Sequence, residues 1–212
     1  MCGRFELNTK FENLPKILKK DYPNGLDKRY EKQSLIRPTD PVLVLKNEGK
    51  VTTTFMSWGF ISPWVKEPFK SSIPRPFNVR SETVSEKKIF KGSWINKRCL
   101  IPSTGFLEKG FRIRKTNYET FWLGGIWSRW NSPDGAEFDS CCILTTESND
   151  LVKTLNHRMP VVIPRGLEEE WIEQVKDLNN LKRLAPILMG WSSEDWIAED
   201  LNKKTSKQMN LF

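Results

Sequence analysis

Glu119-Thr-Phe-Trp-Leu-Gly-Gly-Ile-Trp-Ser-Arg-Trp130 and Phe138-Asp-Ser-Cys-Cys-Ile-Leu-Thr-Thr146 decide the fold class of this chain. Both stretches are rich in aromatic and β-branched residues, the side chains that suit a pleated surface. Ser132-Pro-Asp-Gly135 stands between them and supplies turn chemistry, so the pair reads as a β-hairpin. Successive strand residues point to opposite faces, so adjacent Cys141 and Cys142 are expected on the two sides of one strand.

Further strands follow on both sides. Val42–Leu45 and Val51–Phe60 read as two strands joined by a turn near Asn47-Glu48-Gly49. Arg98–Pro102 and Pro160–Ile163 add two more. Residues 84–96 suit a helix with Ile89, Phe90 and Trp94 on one face, and a short helix is expected after Ser148. Leu167–Val175 and Asn179–Leu184 are amphipathic helical pieces. Near the start, Thr9-Lys-Phe-Glu12 is a capping-box pattern ahead of a stripe of Phe11, Leu14, Ile17 and Leu18, which Pro15 should shorten or bend. Residues 21–41 are polar and read as a surface loop, and Ile61–Phe77, with four prolines, as an irregular loop carrying exposed aromatics. The expectation is an α+β fold: one β-rich domain over residues 1–200 with a helical fringe. Residues 201–212 read as a flexible polar tail with an apolar end.

The chain has 212 residues, a formal net charge of +8, and its basic residues crowd the first forty positions and the middle. Acids collect later, at Glu168, Glu169, Glu170 and Glu173. Such a balance suits an anionic partner, most simply nucleic acid, met by the N-terminal and central segments. The four cysteines form no CxxC pair, which argues against a zinc knuckle or a dithiol redox motif, and no metal or cofactor is expected. No apolar run is long enough to span a bilayer and no secretory leader is visible, so a reducing cytoplasm, no membrane partner and a monomer are expected.

The chain opens Met1-Cys2-Gly3-Arg4. Removal of Met1 would leave Cys2 with a free α-amine beside its thiol. An α-amine titrates near ~8 and a lysine near ~10.4, so at pH 7.4 roughly a fifth of the former and ~0.1% of the latter are neutral and nucleophilic. The amine can condense with an aldehyde, and the thiol can then close a five-membered thiazolidine, a second step that no lysine can supply. By itself, a cysteine here is as well explained as a small apolar residue of a first strand.

Four segments give Cys2 a context: Met1-Cys-Gly-Arg-Phe5, Phe77-Asn-Val-Arg-Ser-Glu-Thr83, Arg98-Cys-Leu-Ile-Pro-Ser-Thr-Gly-Phe-Leu-Glu108 and Asn156-His-Arg-Met-Pro160. Their order, residue types and spacing, together with Ser57-Trp-Gly-Phe-Ile-Ser-Pro-Trp64, resemble the SRAP (SOS-response-associated peptidase) family, from residue 1 to roughly residue 190. The resemblance implies a mixed sheet forming a barrel-like core around a positively charged groove. It implies a protein that loses Met1, by its own cleavage or to an aminopeptidase, recognises abasic sites in single-stranded DNA and crosslinks to them through Cys2. Glu108 would be the acid/base, Asn78 would sit near nucleophile and lesion, and Arg4 and Arg80 would bind the DNA backbone, with Arg158 a third such arginine. Trp64 would stack on bases or pack in the core. The end of the tail, with Gln208, Leu211 and Phe212, resembles a bacterial sliding-clamp-binding peptide.

The chain also departs from the family pattern. The family's His-x-Arg-Met-Pro register places Asn156 where a histidine is expected and puts His157, the single histidine of the chain, one step along. Either residue fills that position. Leu35-Ile-Arg-Pro38 lacks the family's Asn, and Phe106-Leu-Glu-Lys109 lacks both tryptophans of its motif. Two other functions suit parts of the sequence. An N-terminal-nucleophile amidase would use Cys2 on amide substrates, and a non-catalytic single-strand binding module would need neither Cys2 nor a lesion.

Overall fold

A computed structural model describes residues 3–20, 29–70, 72–175 and 178–203. Among these, the chain runs β1 (Phe5–Leu7), a 3-10 turn (Phe11–Asn13), α1 (Lys16–Lys20), β2 (Gln33–Ile36), β3 (Pro41–Asn47), β4 (Val51–Trp58) and β5 (Asn78–Arg80). There follow α2 (Lys88–Asn96), β6 (Arg98–Ser103), β7 (Gly105–Glu108), β8 (Phe111–Lys115), β9 (Phe121–Asn131) and β10 (Glu137–Glu147). The last part holds α3 (Asp150–Lys153), β11 (Arg158–Pro160), β12 (Val162–Ile163), α4 (Glu168–Ile172), a 3-10 segment (Leu178–Leu184), α5 (Ala185–Leu188) and β13 (Trp196–Asp200). The expected hairpin is β9–β10, paired from Glu137↔Asn131 to Ile143↔Gly125.

This hairpin organises the larger sheet. β9 pairs with β6, β6 with β3, β3 with β4, and β4 with β10, so the β9–β10 pairing closes a five-stranded ring. Closure leaves these strands without free edges inside the ring. The β4–β10 contact is parallel and the others in the ring are antiparallel, which makes the sheet mixed. A second sheet runs β13-β8-β7-β1-β2. This is the expected α+β, β-rich domain with a barrel-like core and peripheral helices.

Trp58, Trp127, Trp171, Phe5, Phe60 and Phe106 are fully buried in one core. Cys99, Cys141 and Cys142 are buried free thiols, so both faces of β10 are covered at the Cys pair. Burial pushes all three thiols well above the ordinary range, which keeps them protonated and unreactive. Arg98, also buried, holds the peripheral helices to the ring. Its guanidinium donates to Trp94 O and Ile95 O at the end of α2, both at 2.7 Å, to Trp171 O in α4 at 2.7 Å, and to Glu173 O. Carbonyls that a helix end leaves without partners are satisfied by one side chain. Burial lowers the Arg98 pKa to about 10.

Several expectations change. Residues 33–36 within the predicted loop form β2, because they pair with β1 through Phe5↔Ile36 and bury Ile36. Residues 21–28 of that loop lie outside the described residues. The capping box does not form: the 3-10 turn starts after Lys10, whose side chain makes no capping bond, and α1 begins only after Pro15. Leu178–Leu184 is 3-10 rather than α. The hairpin β7–β8 went unpredicted. Its turn is Lys109-Gly110, with φ of 47° and 84°. Two successive left-handed residues make the tight turn that matches strand twist. None of the described helices is long and apolar enough to cross a membrane.

Candidate functional site

The N-terminal strand fixes the geometry. Phe5 pairs with Phe106 and Glu6 with Gly105, and Leu107 N donates to Arg4 O at 2.9 Å. Beyond this bond the two strands run on to Gly3 and to Glu108. Cys2 itself lies outside the described residues. Glu108 is the half-buried last residue of β7, immediately before the Lys109-Gly110 turn. That turn places a carboxylate at a strand end rather than within the sheet.

Two tryptophans tie this strand pair to the other motif segments. Phe5 meets Trp58 edge-on at 5.0 Å between centroids, and Trp58 meets Phe77 at 5.8 Å. The Trp58 indole N–H donates to Phe77 O at 2.8 Å. Phe77 directly precedes Asn78, so Trp58 fixes Asn78 relative to β1. On the other side, Phe106 of β7 meets Trp191 at 6.4 Å, and Trp191 Nε1 donates to Pro160 O at 3.1 Å. Trp191 is held in turn by Asn149 Nδ2, which donates to its carbonyl at 3.1 Å.

The C-terminal end of β10 joins the remaining two segments. Thr145 pairs with Arg80 of β5 on one side and with Pro160 of β11 on the other. Across this junction Arg158 donates to both carboxylate oxygens of Glu82, each at 2.8 Å, and to Thr145 O at 2.6 Å. The bidentate bond from Arg158 holds the Glu82 carboxyl below its usual range. Arg158, expected at the DNA backbone, is 9% exposed and committed to this bridge. Its guanidinium joins the turn after Arg80 to the strand after His157.

The other expected residues are placed as follows. Arg4 and Arg80 are exposed and Asn78 is half-buried. Trp64 is 65% exposed in the Pro-rich loop, which places its ring outside the core. His157 is exposed, while Asn156 is half-buried with its Oδ1 accepting from Arg158 N at 3.2 Å. The local turn therefore uses the Asn156 carboxamide oxygen and leaves the His157 ring at the surface. Gln208, Leu211 and Phe212 lie outside the described residues. Among the described residues there is no cluster of His, Cys, Asp or Glu that would hold a metal ion. Sequence reasoning missed Trp191 and the Glu82 partner of Arg158. Trp191 has no local signal, since the contacts that tie it to the site, with Phe106, Asn149 and Pro160, come from distant segments. Glu82 sits inside a quoted motif and was legible as a carboxylate four residues from Asn78, but its partner was not.

Comparison with known proteins places this geometry. The sequence model of the family described as SOS response associated peptidase (SRAP) matches residues 1–206. The abasic site processing protein YoqW of Bacillus subtilis is 31% identical over 184 residues, covering 81% of this chain and 80% of that protein. YoaM of the same organism, also described as an abasic site processing protein, is 27% identical, covering 99% of this chain and 95% of its own. The abasic site processing protein HMCES of Xenopus tropicalis is 28% identical over 62% of this chain and 49% of that longer protein. A crystal structure of a protein from Bacteroides thetaiotaomicron superposes with a TM-score of 0.76 at 23% identity, covering 93% of this chain and 90% of the other. That likeness concerns the fold.

Proposed function

We propose, on the premise that the chain belongs to the SOS response associated peptidase (SRAP) family, that it processes abasic sites in DNA by covalent capture through Cys2. Its relatives described as abasic site processing proteins support a role in DNA damage and repair. The observation that carries the reading is the meeting of four distant motif segments. Pairing of β1 with β7 brings the N-terminal segment beside the strand that ends at Glu108, and Trp58 and Trp191 join this pair to the Asn78 and His157 segments.

In this reading Met1 is first removed, which frees the Cys2 amine. An abasic deoxyribose in its open form presents an aldehyde. The neutral amine attacks that carbon, water leaves, and an imine forms. The Cys2 sulfur then adds to the imine carbon, its proton passing to nitrogen, and a thiazolidine closes with no oxidant or reductant. Glu108 moves protons during sugar ring opening and loss of water. Asn78 orients lesion and nucleophile. His157 carries the imidazole available for later proton transfers, because Asn156 already uses its oxygen on Arg158 N. Arg4 and Arg80 bind phosphates, which supplies affinity without sequence preference. Trp64 stacks on a base beside the lesion, an interaction worth about 1–3 kcal/mol. The substrate is single-stranded DNA, where the aldehyde is open to attack. The C-terminal Gln208, Leu211 and Phe212 would bring the protein to a sliding clamp at the replication fork, within the nucleoid.

A denaturing gel with an abasic oligonucleotide tests the proposal. Wild-type protein should give a denaturation-resistant adduct and Cys2→Ala none. Cys2→Ser should give an adduct only after borohydride reduction, because the amine can still form the imine. His157→Ala should keep the adduct but slow its reversal. Turnover of amide substrates without DNA would favour an amidase. Binding indifferent to Cys2 and to the lesion, with Met1 retained by intact mass, would favour a simple binding module.

A further inference from the structure

Trp191 has a second side. It lines a cavity of about 900 Å³ whose walls include none of Asn78, Arg80, Glu108, His157 and Arg158. Trp122 and Trp196 also line it, and the Trp191 and Trp196 rings lie tilted together with centroids 4.2 Å apart. Trp122 and Trp196 are buried, whereas Trp191 is only partly buried. Lys16, Lys115 and Arg165 stand among the lining residues, and none of them makes a side-chain ion pair among the described residues. Two carboxylates also line it, Glu119 and Glu168, and Glu168 Oε2 is occupied by Gly166 N at 2.7 Å.

We propose that this cavity is a nucleotide-binding site. A space of this size suits a ligand of a few dozen heavy atoms. A partly buried indole at the cavity wall suits the flat face of a base. Three cations against two carboxylates, one of them already hydrogen-bonded, suit a phosphate. The shared chemistry is a base joined to a sugar phosphate, and it has two sources. One is a free nucleotide. The other is a nucleotide of the DNA strand beyond the lesion, and this second source rests on the crosslinking function proposed above. Either way Trp191 is common to both places: it lines the cavity, and its N–H holds Pro160, three residues after His157. Occupancy therefore reaches the strand that carries the histidine segment.

The test uses full-length Cys2→Ala protein, which cannot form the adduct, titrated with deoxyadenosine monophosphate and followed by tryptophan fluorescence. Saturable quenching is expected. Deoxyadenosine without phosphate should bind at least about tenfold more weakly, a comparison that needs no further variant. Lys115→Glu combined with Arg165→Glu should weaken the monophosphate by a similar factor while leaving the circular dichroism spectrum unchanged. An undamaged oligonucleotide that displaces the monophosphate assigns the site to the strand, and one that does not assigns it to a free nucleotide. Absence of saturable quenching, or an affinity indifferent to the charge reversals and to the phosphate, overturns the proposal. Adduct formation by wild-type protein is read separately on a gel, so failure of either idea leaves the other visible.

Discussion

Glu6 is a carboxylate 4% exposed, with Arg112 Nε at 3.2 Å from its Oε2. Arg112 is shared with Glu199 at 3.6 Å. Burial pushes the Glu6 carboxyl above its ordinary range, and Arg112 only partly opposes the shift. An acid whose folded pKa is raised gives its full stability below the unfolded pKa, near ~4.3, and loses it as pH rises through the folded value. Glu6→Gln, which imitates the protonated acid, should therefore raise the melting temperature more at pH 7 than at pH 4. Melts at the two pH values check this, and a larger benefit at pH 4 would show that the Arg112 attraction outweighs desolvation. The neighbouring Gly105 is needed for the same reason. A Cβ there would stand 2.9 Å from Glu6 Oε1 and 3.3 Å from Ile113 O, so Gly105→Ala should cost about 1–3 kcal/mol.

At the scale of elements, the site depends on short strands held from outside. β1, β5 and β11 have three residues each, too few to fix their own positions by pairing alone. Trp58, Arg158 and Trp191 supply the missing restraints. Trp191→Phe keeps the ring packing against Phe106 but removes the donor to Pro160 O. The expected cost is about 1 kcal/mol of stability. Adduct formation at saturating DNA should slow by more than the affinity of a non-crosslinking Cys2→Ala background falls, since phenylalanine keeps an aromatic ring at the cavity wall. Stopped-time gels and anisotropy separate the two, and equal losses in both would show that Trp191 acts on DNA binding rather than on position.

For the whole molecule, the +8 charge predicts binding that weakens as salt rises. Each phosphate neutralised on a single strand contributes about 0.7 to the slope of log affinity against log salt. Arg80→Ala should flatten the slope by about that amount on undamaged single-stranded DNA, measured by anisotropy with Cys2→Ala protein. An unchanged slope would remove Arg80 from the phosphate path. Arg158 should not behave this way, because its charge is already answered by Glu82.

Local chemistry determined much of this protein. The β9–β10 hairpin, the β3–β4 pair and the Lys88–Asn96 helix are visible in side-chain type and turn residues, because such elements are built from contacts close in sequence. The motif segments likewise named Asn78, Glu108 and the Cys2 start. β2 and β5 were not legible, since three or four residues carry too little periodicity to read and form only where a distant partner is already in place. Closure of the ring, the Arg158–Glu82 bridge and the choice between Asn156 and His157 for the local turn were decided by tertiary structure. Each depends on groups dozens of residues apart or on a loop geometry set by its neighbours, and such encounters exist only once the chain has packed.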